Sequence, residues 1–140
     1  MKKILSTLAF VFVGFLSIQA QGPTMIFEAT TVNYGTIDVG SEPIRRFKFT
    51  NTGNEPLIIK SAQGSCGCVV PTYPQEPIMP GKSSYIIVRY DTKRVGMFTK
   101  TVTLTTNELD STHTLLIKGE VKAPTVQETV PTSIGKLRPD

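Results

Sequence analysis

The sequence is poor in the residues from which metal sites are usually built. Of its 140 residues, two are cysteine and one is histidine. Two thiolates cannot complete a tetrahedral zinc site, and His113 lies far along the chain from Cys66 and Cys68. We therefore expect no zinc site.

Long apolar runs are also scarce. After residue 20, no segment approaches the run of roughly 18 or more apolar residues expected of a membrane helix. The N-terminus begins with Lys2 and Lys3, continues with a mainly apolar stretch over residues 4–18, and offers Ala20 as a small residue for cleavage. This layout predicts a signal peptide over residues 1–20 and a periplasmic or secreted protein, with an uncleaved anchor as the alternative. No cysteine lies just after the predicted cut, so a lipid anchor has no attachment residue.

Charge of one sign is not in large excess. The chain carries 15 Lys+Arg against 11 Asp+Glu, and removing Lys2 and Lys3 leaves 13 against 11. A nearly neutral exported chain gives little reason to expect a nucleic-acid partner. The part that follows residue 20 has the size of one domain, and it can bury roughly two-thirds of its unfolded surface. Its core therefore requires neither a disulfide nor a metal.

The pattern of residues 24–122 predicts an all-β antiparallel sandwich of about seven strands. Apolar and polar residues alternate in short runs that are separated by turn residues about every ten positions. Phe47 and Phe49, for example, fall on one side of a run in which Arg46 and Lys48 fall on the other. The predicted strands cover residues 25–29, 31–39, 44–52, 57–62, 84–90, 98–106 and 112–121.

Finer expectations concern glycines, one irregular stretch and the C-terminus. Gly35 is expected to let its strand bend or pass close to a neighbour, and Gly119 to mark a bulge. Residues 63–81 are rich in glycine and proline and leave room only for brief extended pieces. Residues 123–140 contain few apolar side chains, so they are predicted to form a flexible tail.

Several spaced motifs carry a resemblance to a known family. They are Phe27-Glu28, Tyr34-Gly35-Thr36-Ile37, Phe49-Thr50-Asn51-Thr52-Gly53, Pro56-Leu57, Ser65-Cys66-Gly67-Cys68, Ile78-Met79-Pro80-Gly81, Thr106-Asn107 and Ile117-Lys118-Gly119-Glu120-Val121. Together they resemble the bacterial exported family known as domain of unknown function 1573 (DUF1573). The resemblance implies an immunoglobulin-like sandwich, distantly similar to major-sperm-protein-type domains, with no assigned reaction.

The Cys66-Gly67-Cys68 segment is the constellation most able to carry chemistry. A disulfide between residues two apart requires a bend at Gly67, and its small ring stabilises the fold by only about 1.6 kcal/mol before strain is subtracted. Such a bond is expected to be reduced easily, so thiol exchange is an alternative. Copper(I) bound by the two thiolates with Met79 or Met97 is a third hypothesis.

Other polar groupings have simpler readings. Asp110, Ser111 and His113 share one hairpin but lack the motifs of a hydrolase, so turn chemistry explains them better. Ser111 also lies in an Asp-Ser-Thr tripeptide of the kind used for O-glycosylation in some exported bacterial proteins. The pairs Arg45-Arg46 and Lys93-Arg94 could attract an acidic glycan or lipid headgroup, although solvated surface charge accounts for them equally well.

The sequence therefore predicts a non-enzymatic exported module without a cofactor. Its expected partner is another envelope or secreted protein, bound through sandwich loops or an unpaired strand edge. The alternative function is thiol-redox or copper(I) chemistry at Cys66 and Cys68. The sequence specifies no oligomeric state.

Overall fold

The computed structural model describes residues 22–125. The predicted signal peptide over residues 1–20 lies outside the described residues, as do residues 126–140 of the predicted tail. Residues 123–125 are exposed and belong to no strand. Helices are absent from the described part of the chain, so it contains none that is long and apolar enough to cross a membrane.

Within this range eight strands form two four-stranded sheets, which confirms the predicted β-sandwich. The first sheet has the strand order β1-β3-β6-β5, and the second has the order β2-β8-β7-β4. In chain order the strands are β1 (Met25–Phe27), β2 (Thr31–Asp38), β3 (Ile44–Asn51), β4 (Ile59–Gly64), β5 (Val69–Thr72), β6 (Ser83–Tyr90), β7 (Gly96–Thr106) and β8 (Thr112–Lys122).

Two-residue alternation sends the apolar side chains of both sheets into one core. Phe47 and Phe49 of β3 are buried, and so are Leu57 and Ile59 around the start of β4, as the pattern predicted. Each fully buried side chain of this size contributes on the order of 1.5–3 kcal/mol. The remaining core side chains with almost no exposure are Ile86, Val88, Val102, Leu104, Leu115, Ile117 and Val121.

The extra strand is β5, which lies in the irregular stretch over residues 63–81. Four of its residues pair with β6, although the local glycines and prolines predicted only a brief extended piece. The Asp91 N–H donates to the Cys68 carbonyl (2.9 Å), so antiparallel alternation points the backbone groups of Val69 and Pro71 away from β6. Pro71 therefore costs the ladder no hydrogen bond, as is usual for proline in an edge strand.

One pair departs from the antiparallel arrangement, because β2 runs parallel to β8. The register of this pair shifts between Asn33 and Thr36, and the intervening Gly35 has a φ of 69°. Glycine adopts this left-handed conformation without a steric penalty. The Asn33 side chain fixes it by accepting a hydrogen bond from the Gly35 N–H (2.9 Å). The bend that the sequence predicted at Gly35 is present.

Gly119 of β8 lies where there is no room for a side chain. The rings of Tyr90 and Phe98 stack with centroids 3.9 Å apart, and Tyr34 meets Phe98 edge-on at 5.3 Å. A Cβ on Gly119 would lie 2.9 Å from Phe98 Cζ and from the Gly35 carbonyl oxygen. Gly119 pairs with Phe98 of β7 without a register shift. The irregularity predicted here lies instead in β2, where Asn33 and Thr36 pair with Lys118 and Glu120 on either side of Gly119. This glycine serves a close approach.

Asn51 is a fully buried polar side chain that ties together three segments at one end of the sandwich. Its Oδ1 accepts hydrogen bonds from the Thr24 N–H (3.2 Å) and the Gly53 N–H (3.0 Å). Its Nδ2 donates to the carbonyls of Glu55 (2.8 Å) and Ile78 (2.9 Å). This use of every donor and acceptor gives a physical reason for the Asn-Thr-Gly part of the sequence motif.

Candidate functional site

Cys66 and Cys68 lie in the turn that carries the chain from β4 in the second sheet to β5 in the first. Their sulfur atoms are within bonding distance, and their Cα atoms are 5.2 Å apart, inside the roughly 4.4–6.8 Å range of disulfides. The backbone reaches this separation by bending at Gly67. The Val69 N–H donates to the Cys66 carbonyl (3.2 Å), and the Cys68 carbonyl accepts from Asp91, so the turn is fastened at both ends.

A cleft of about 420 Å³ opens beside Cys68 and includes Arg89, Asp91 and Lys93 in its lining. Cys68 is 5% exposed, whereas Cys66 is partly exposed. Cys66 is therefore the more solvent-accessible residue of the pair. Nearby cations favour the thiolate form of a released cysteine.

The methionines proposed as copper ligands are not in the lining of this cleft. Met97 lines a separate groove on the second sheet, and Met79 follows Ile78, which pairs with Leu57. Among residues 22–125, no three His, Cys, Asp or Glu side chains are grouped so that they could hold a metal ion. The structure does not bring the proposed copper ligands together there.

His113 is engaged by Glu108, a residue that the sequence analysis did not single out. Its Nε2 lies 2.6 Å from Glu108 Oε2, which also accepts a hydrogen bond from the Thr106 hydroxyl (2.7 Å). Glu108 Oε1 accepts from the Met25 N–H (2.7 Å), so the carboxylate links β1 to the end of β7. The Glu108 side chain is 9% exposed. An acidic residue in a turn gave no sequence signal of this inward orientation.

Ser111, the predicted O-glycosylation acceptor, lies at the end of the turn between β7 and β8. Its carbonyl accepts the Thr106 N–H (2.7 Å), and the residue is partly exposed. Asp110 before it and Thr112 after it are exposed. His113 hydrogen-bonds Glu108 rather than Ser111, so the structure does not assemble a hydrolytic pair in this hairpin.

The Arg45-Arg46 pair is divided between two environments. The Arg45 guanidinium lies 4.1 Å from the centroid of the Tyr34 ring and donates to the carbonyls of Glu42 and Ile44. The Tyr34 hydroxyl donates to the Pro43 carbonyl (2.9 Å). Burial raises the pKa of Tyr34 to about 12, although the Arg45 charge acts in the opposite direction. Arg45 therefore has a structural role beside the aromatic cluster formed by Tyr34, Tyr90 and Phe98.

Arg46 points to the outer surface of the first sheet. The register places Arg46 of β3 beside Ile87 of β6, and Ile44 of β3 beside Arg89 of β6. The two isoleucines are partly buried and both arginines are exposed, so cationic and apolar side chains alternate in a small square. Neither arginine takes part in the ion pairs of the described residues. We call Ile44, Arg46, Ile87 and Arg89 the arginine face.

Exposed apolar side chains extend the arginine face on both sides. Val70 of β5 is paired with Arg89, and Tyr85 of β6 is paired with Lys48. Lys48 forms an ion pair with Glu28 (2.7 Å), and this hydrogen bond raises the pKa of Lys48. The unneutralised positive charge of this surface therefore resides mainly on the two arginines. Sequence reasoning missed the surface because the register between β3 and β6 cannot be read from either strand alone.

Comparison with solved structures places the fold among immunoglobulin-like and PapD-like β-sandwiches. A protein of unknown function from Porphyromonas gingivalis W83 is similar at 17% identity and a TM-score of 0.62, over 76% of this chain and 51% of that one. The PapD-like domain 7 of human CEP192 is similar at 9% identity and a TM-score of 0.55, over 71% and 87%. The VesB protease of Vibrio cholerae is similar at 12% identity and a TM-score of 0.54, over 72% and 32%.

These likenesses establish the fold alone, and the chain spans about half the length of the Porphyromonas protein and a third of VesB. No curated protein matches this chain. The family model for proteins of unknown function designated DUF1573 matches residues 25–121, from the first strand to the last. The chain therefore belongs to the DUF1573 family, as its spaced motifs indicated.

Proposed function

We propose that this domain is a non-enzymatic module that binds another envelope or secreted protein, and that its contact surface is the arginine face. The observation that carries the proposal is the alternation of two exposed, unpaired arginines with two partly buried isoleucines. Arginine is enriched among the residues that dominate protein interfaces, and adjacent apolar side chains exclude water from its contacts.

Two sheet edges are poorly suited to the addition of a partner strand. At the edge formed by β1, the Met25 N–H is already bonded to the Glu108 carboxylate. At the edge formed by β5, the Val69 N–H is bonded to Cys66, and Pro71 has no N–H to donate. Both devices are common ways of protecting an edge strand. On the first sheet, this protection favours a partner that contacts the outer face rather than either edge.

The chemistry of the arginine face specifies its partner in general terms. A guanidinium binds a carboxylate through two parallel hydrogen bonds, and such charge-assisted bonds are stronger than neutral ones. Ile44 and Ile87 add apolar surface between these contacts. The expected partner surface therefore carries carboxylates next to apolar side chains, and binding should weaken as salt concentration rises.

Site-specific crosslinking in the native cell tests this proposal. A photoreactive benzoylphenylalanine is placed at Thr72, which is exposed and paired with Ile87, or at Thr103, which is exposed on the outer surface of the second sheet. We expect a discrete crosslinked protein from position 72 and none from position 103. Equal crosslinking from both positions, or none from either, would contradict the proposal.

Charge reversal supplies the matched control. The double variant Arg46→Glu/Arg89→Glu should abolish the crosslink from position 72. The variant Lys60→Glu/Lys118→Glu changes the net charge equally at two exposed residues of the second sheet and should preserve it. Circular dichroism and urea midpoints should match the wild type in both cases, because all four side chains are exposed.

Thiol exchange at Cys66 is the second candidate function. It is favoured by the partial exposure of Cys66 and by the cations of the neighbouring cleft. Thiol titration of the purified protein after treatment with graded reductant, together with a copper(I) binding assay, tests it. Resistance to mild reductant and the absence of bound copper would eliminate both forms of this alternative.

A further inference from the structure

The turn between β7 and β8, residues 107–111, is held rigidly at its base. The Asn107 side chain accepts the Ile58 N–H (2.8 Å) and donates to the Pro56 carbonyl (3.0 Å). The Glu108 carboxylate is folded inward onto Met25, Thr106 and His113, as described above. The chain between these anchors therefore presents its remaining side chains in a fixed position, which lowers the entropic cost of a contact.

The projecting residues are Leu109 and Asp110, which we call the hairpin tip. Leu109 is 102% exposed, the highest value among the exposed large apolar side chains of residues 22–125. Asp110 is exposed beside it, and Glu55 lines the same cleft of about 390 Å³. No lysine or arginine of the described chain lines that cleft. The hairpin tip thus combines one apolar side chain with unneutralised acidic charge.

This chemistry is the complement of the arginine face. Leu109 can fill the apolar positions between Ile44 and Ile87, while the neighbouring carboxylate reaches a guanidinium. We infer that the hairpin tip of one copy of this chain docks on the arginine face of a second copy. The inference rests on the proposed function, since it names one partner of the same surface.

The contact joins two different surfaces of the molecule, so a pair of copies still offers one free tip and one free face. Contacts of this head-to-tail kind produce rings or open chains. A projecting turn buries much less area than a stable interface requires, so the association should be weak and reversible. It should also weaken with salt, because exposed charges are screened.

Sedimentation equilibrium tests the inference. It compares the purified wild type with two double variants, each of which reverses the charge of one of the two surfaces. Variant Arg46→Glu/Arg89→Glu has an acidic face and an acidic tip, whereas variant Glu55→Lys/Asp110→Lys has a basic face and a basic tip. We expect the average mass of the wild type to rise with concentration at low salt and to fall towards the monomer at high salt. Each variant alone should remain a monomer, because its two surfaces repel.

An equimolar mixture of the variants is the decisive sample, because both of its cross-contacts, each joining the tip of one variant to the face of the other, are complementary in charge. The mixture should therefore associate again, with an average mass that rises with concentration at low salt as it does for the wild type. A monomeric wild type, association by either variant alone, or a monomeric mixture would overturn the inference. Leu109→Ser, which leaves every charge in place, should reduce the association constant of the wild type at least several-fold.

The proposed function fails separately from this inference. If the purified chain stays monomeric while the crosslink from position 72 survives Glu55→Lys/Asp110→Lys and is lost with Arg46→Glu/Arg89→Glu, only self-association is wrong. If the crosslink from position 72 is absent, or if it persists in Arg46→Glu/Arg89→Glu, the proposed binding face is wrong.

Discussion

The side-chain amide of Asn51 donates a hydrogen bond of 2.9 Å to the carbonyl of Ile78, which lies 27 residues further along the chain. We expect Asn51→Ala to reduce the free energy of unfolding by about 3 kcal/mol, because it leaves buried donors and acceptors unsatisfied. Asn54 makes one exposed hydrogen bond, to the Gly22 N–H, and Asn54→Ala should cost less than about 1 kcal/mol. Urea denaturation measures both values, and equal costs would contradict the role assigned to Asn51.

Gly119→Ala should destabilise the domain by about 1–3 kcal/mol, because the new methyl group would crowd Phe98, Tyr34 and the Gly35 carbonyl. Gly67 provides the control, since a Cβ built there meets no atom within 4 Å. Thermal unfolding followed by circular dichroism compares the two variants. A Gly119→Ala protein as stable as Gly67→Ala would show that the aromatic cluster relaxes without cost.

Because of Tyr34, the free energy of unfolding should decrease at alkaline pH. Burial raises its pKa from 10 to about 12, so the folded chain keeps a proton that the unfolded chain has lost. Stability present below pH 10 is therefore lost as the pH rises through about 12, by on the order of 2 kcal/mol. Burial also raises the pKa of Tyr90, which acts in the same direction.

The Tyr34→Phe variant separates this effect from the hydrogen bond to Pro43. It should lose about 1 kcal/mol at neutral pH, because the Pro43 carbonyl loses one of its two donors and keeps the Tyr90 N–H. Its stability should then decline less steeply than that of the wild type above pH 10. Denaturation curves at several alkaline pH values, with phenolate absorbance as the direct readout, measure both changes. Parallel declines would refute the assignment.

Replacing both cysteines by serine should cost little stability. Cys66 and Cys68 close a ring of three residues, for which loop entropy predicts a loss of only about 1.6 kcal/mol. Thiol titration of the oxidised wild type in denaturant should detect no free thiol. A loss several times larger in urea denaturation would indicate that the disulfide holds the turn between the sheets in place.

Ser111 is expected to carry a glycan when the protein is isolated from its native cell. The intact mass should then exceed that of the polypeptide, and Ser111→Ala should remove the excess. Ser61, which is exposed on β4, is the matched control, and Ser61→Ala should retain the added mass. An unmodified wild type would show that the Asp-Ser-Thr tripeptide occurs here by chance.

The sequence predicted the elements whose fold is determined by local alternation. Phe47 and Phe49 are buried, and so are Leu57 and Ile59, because one side of each strand faces the core. For β5 the sequence predicted only a brief extended piece, because Pro71 normally argues against a strand and is tolerated here by its position at an edge.

Relationships between distant strands were beyond sequence reasoning. Neither the parallel pairing of β2 with β8 nor the position of Arg46 beside Ile87 follows from a single strand, since both depend on register. The role of Glu108 depends on the hairpin that brings it under β1. The sequence predicted the cysteine segment and the hairpin that holds Asp110 and Ser111, whereas the arginine face depends on the assembled sheets.

The parallel pairing of β2 with β8 also bears on how the domain reaches its native state. The partners Thr31 and Leu116 come from opposite ends of the folded region, so this contact closes a very long loop. Chains rich in such distant pairings fold slowly, typically in milliseconds to seconds. A nascent chain that lacks β8 leaves β2 without its partner, so the second sheet can be completed only after the last strand is available.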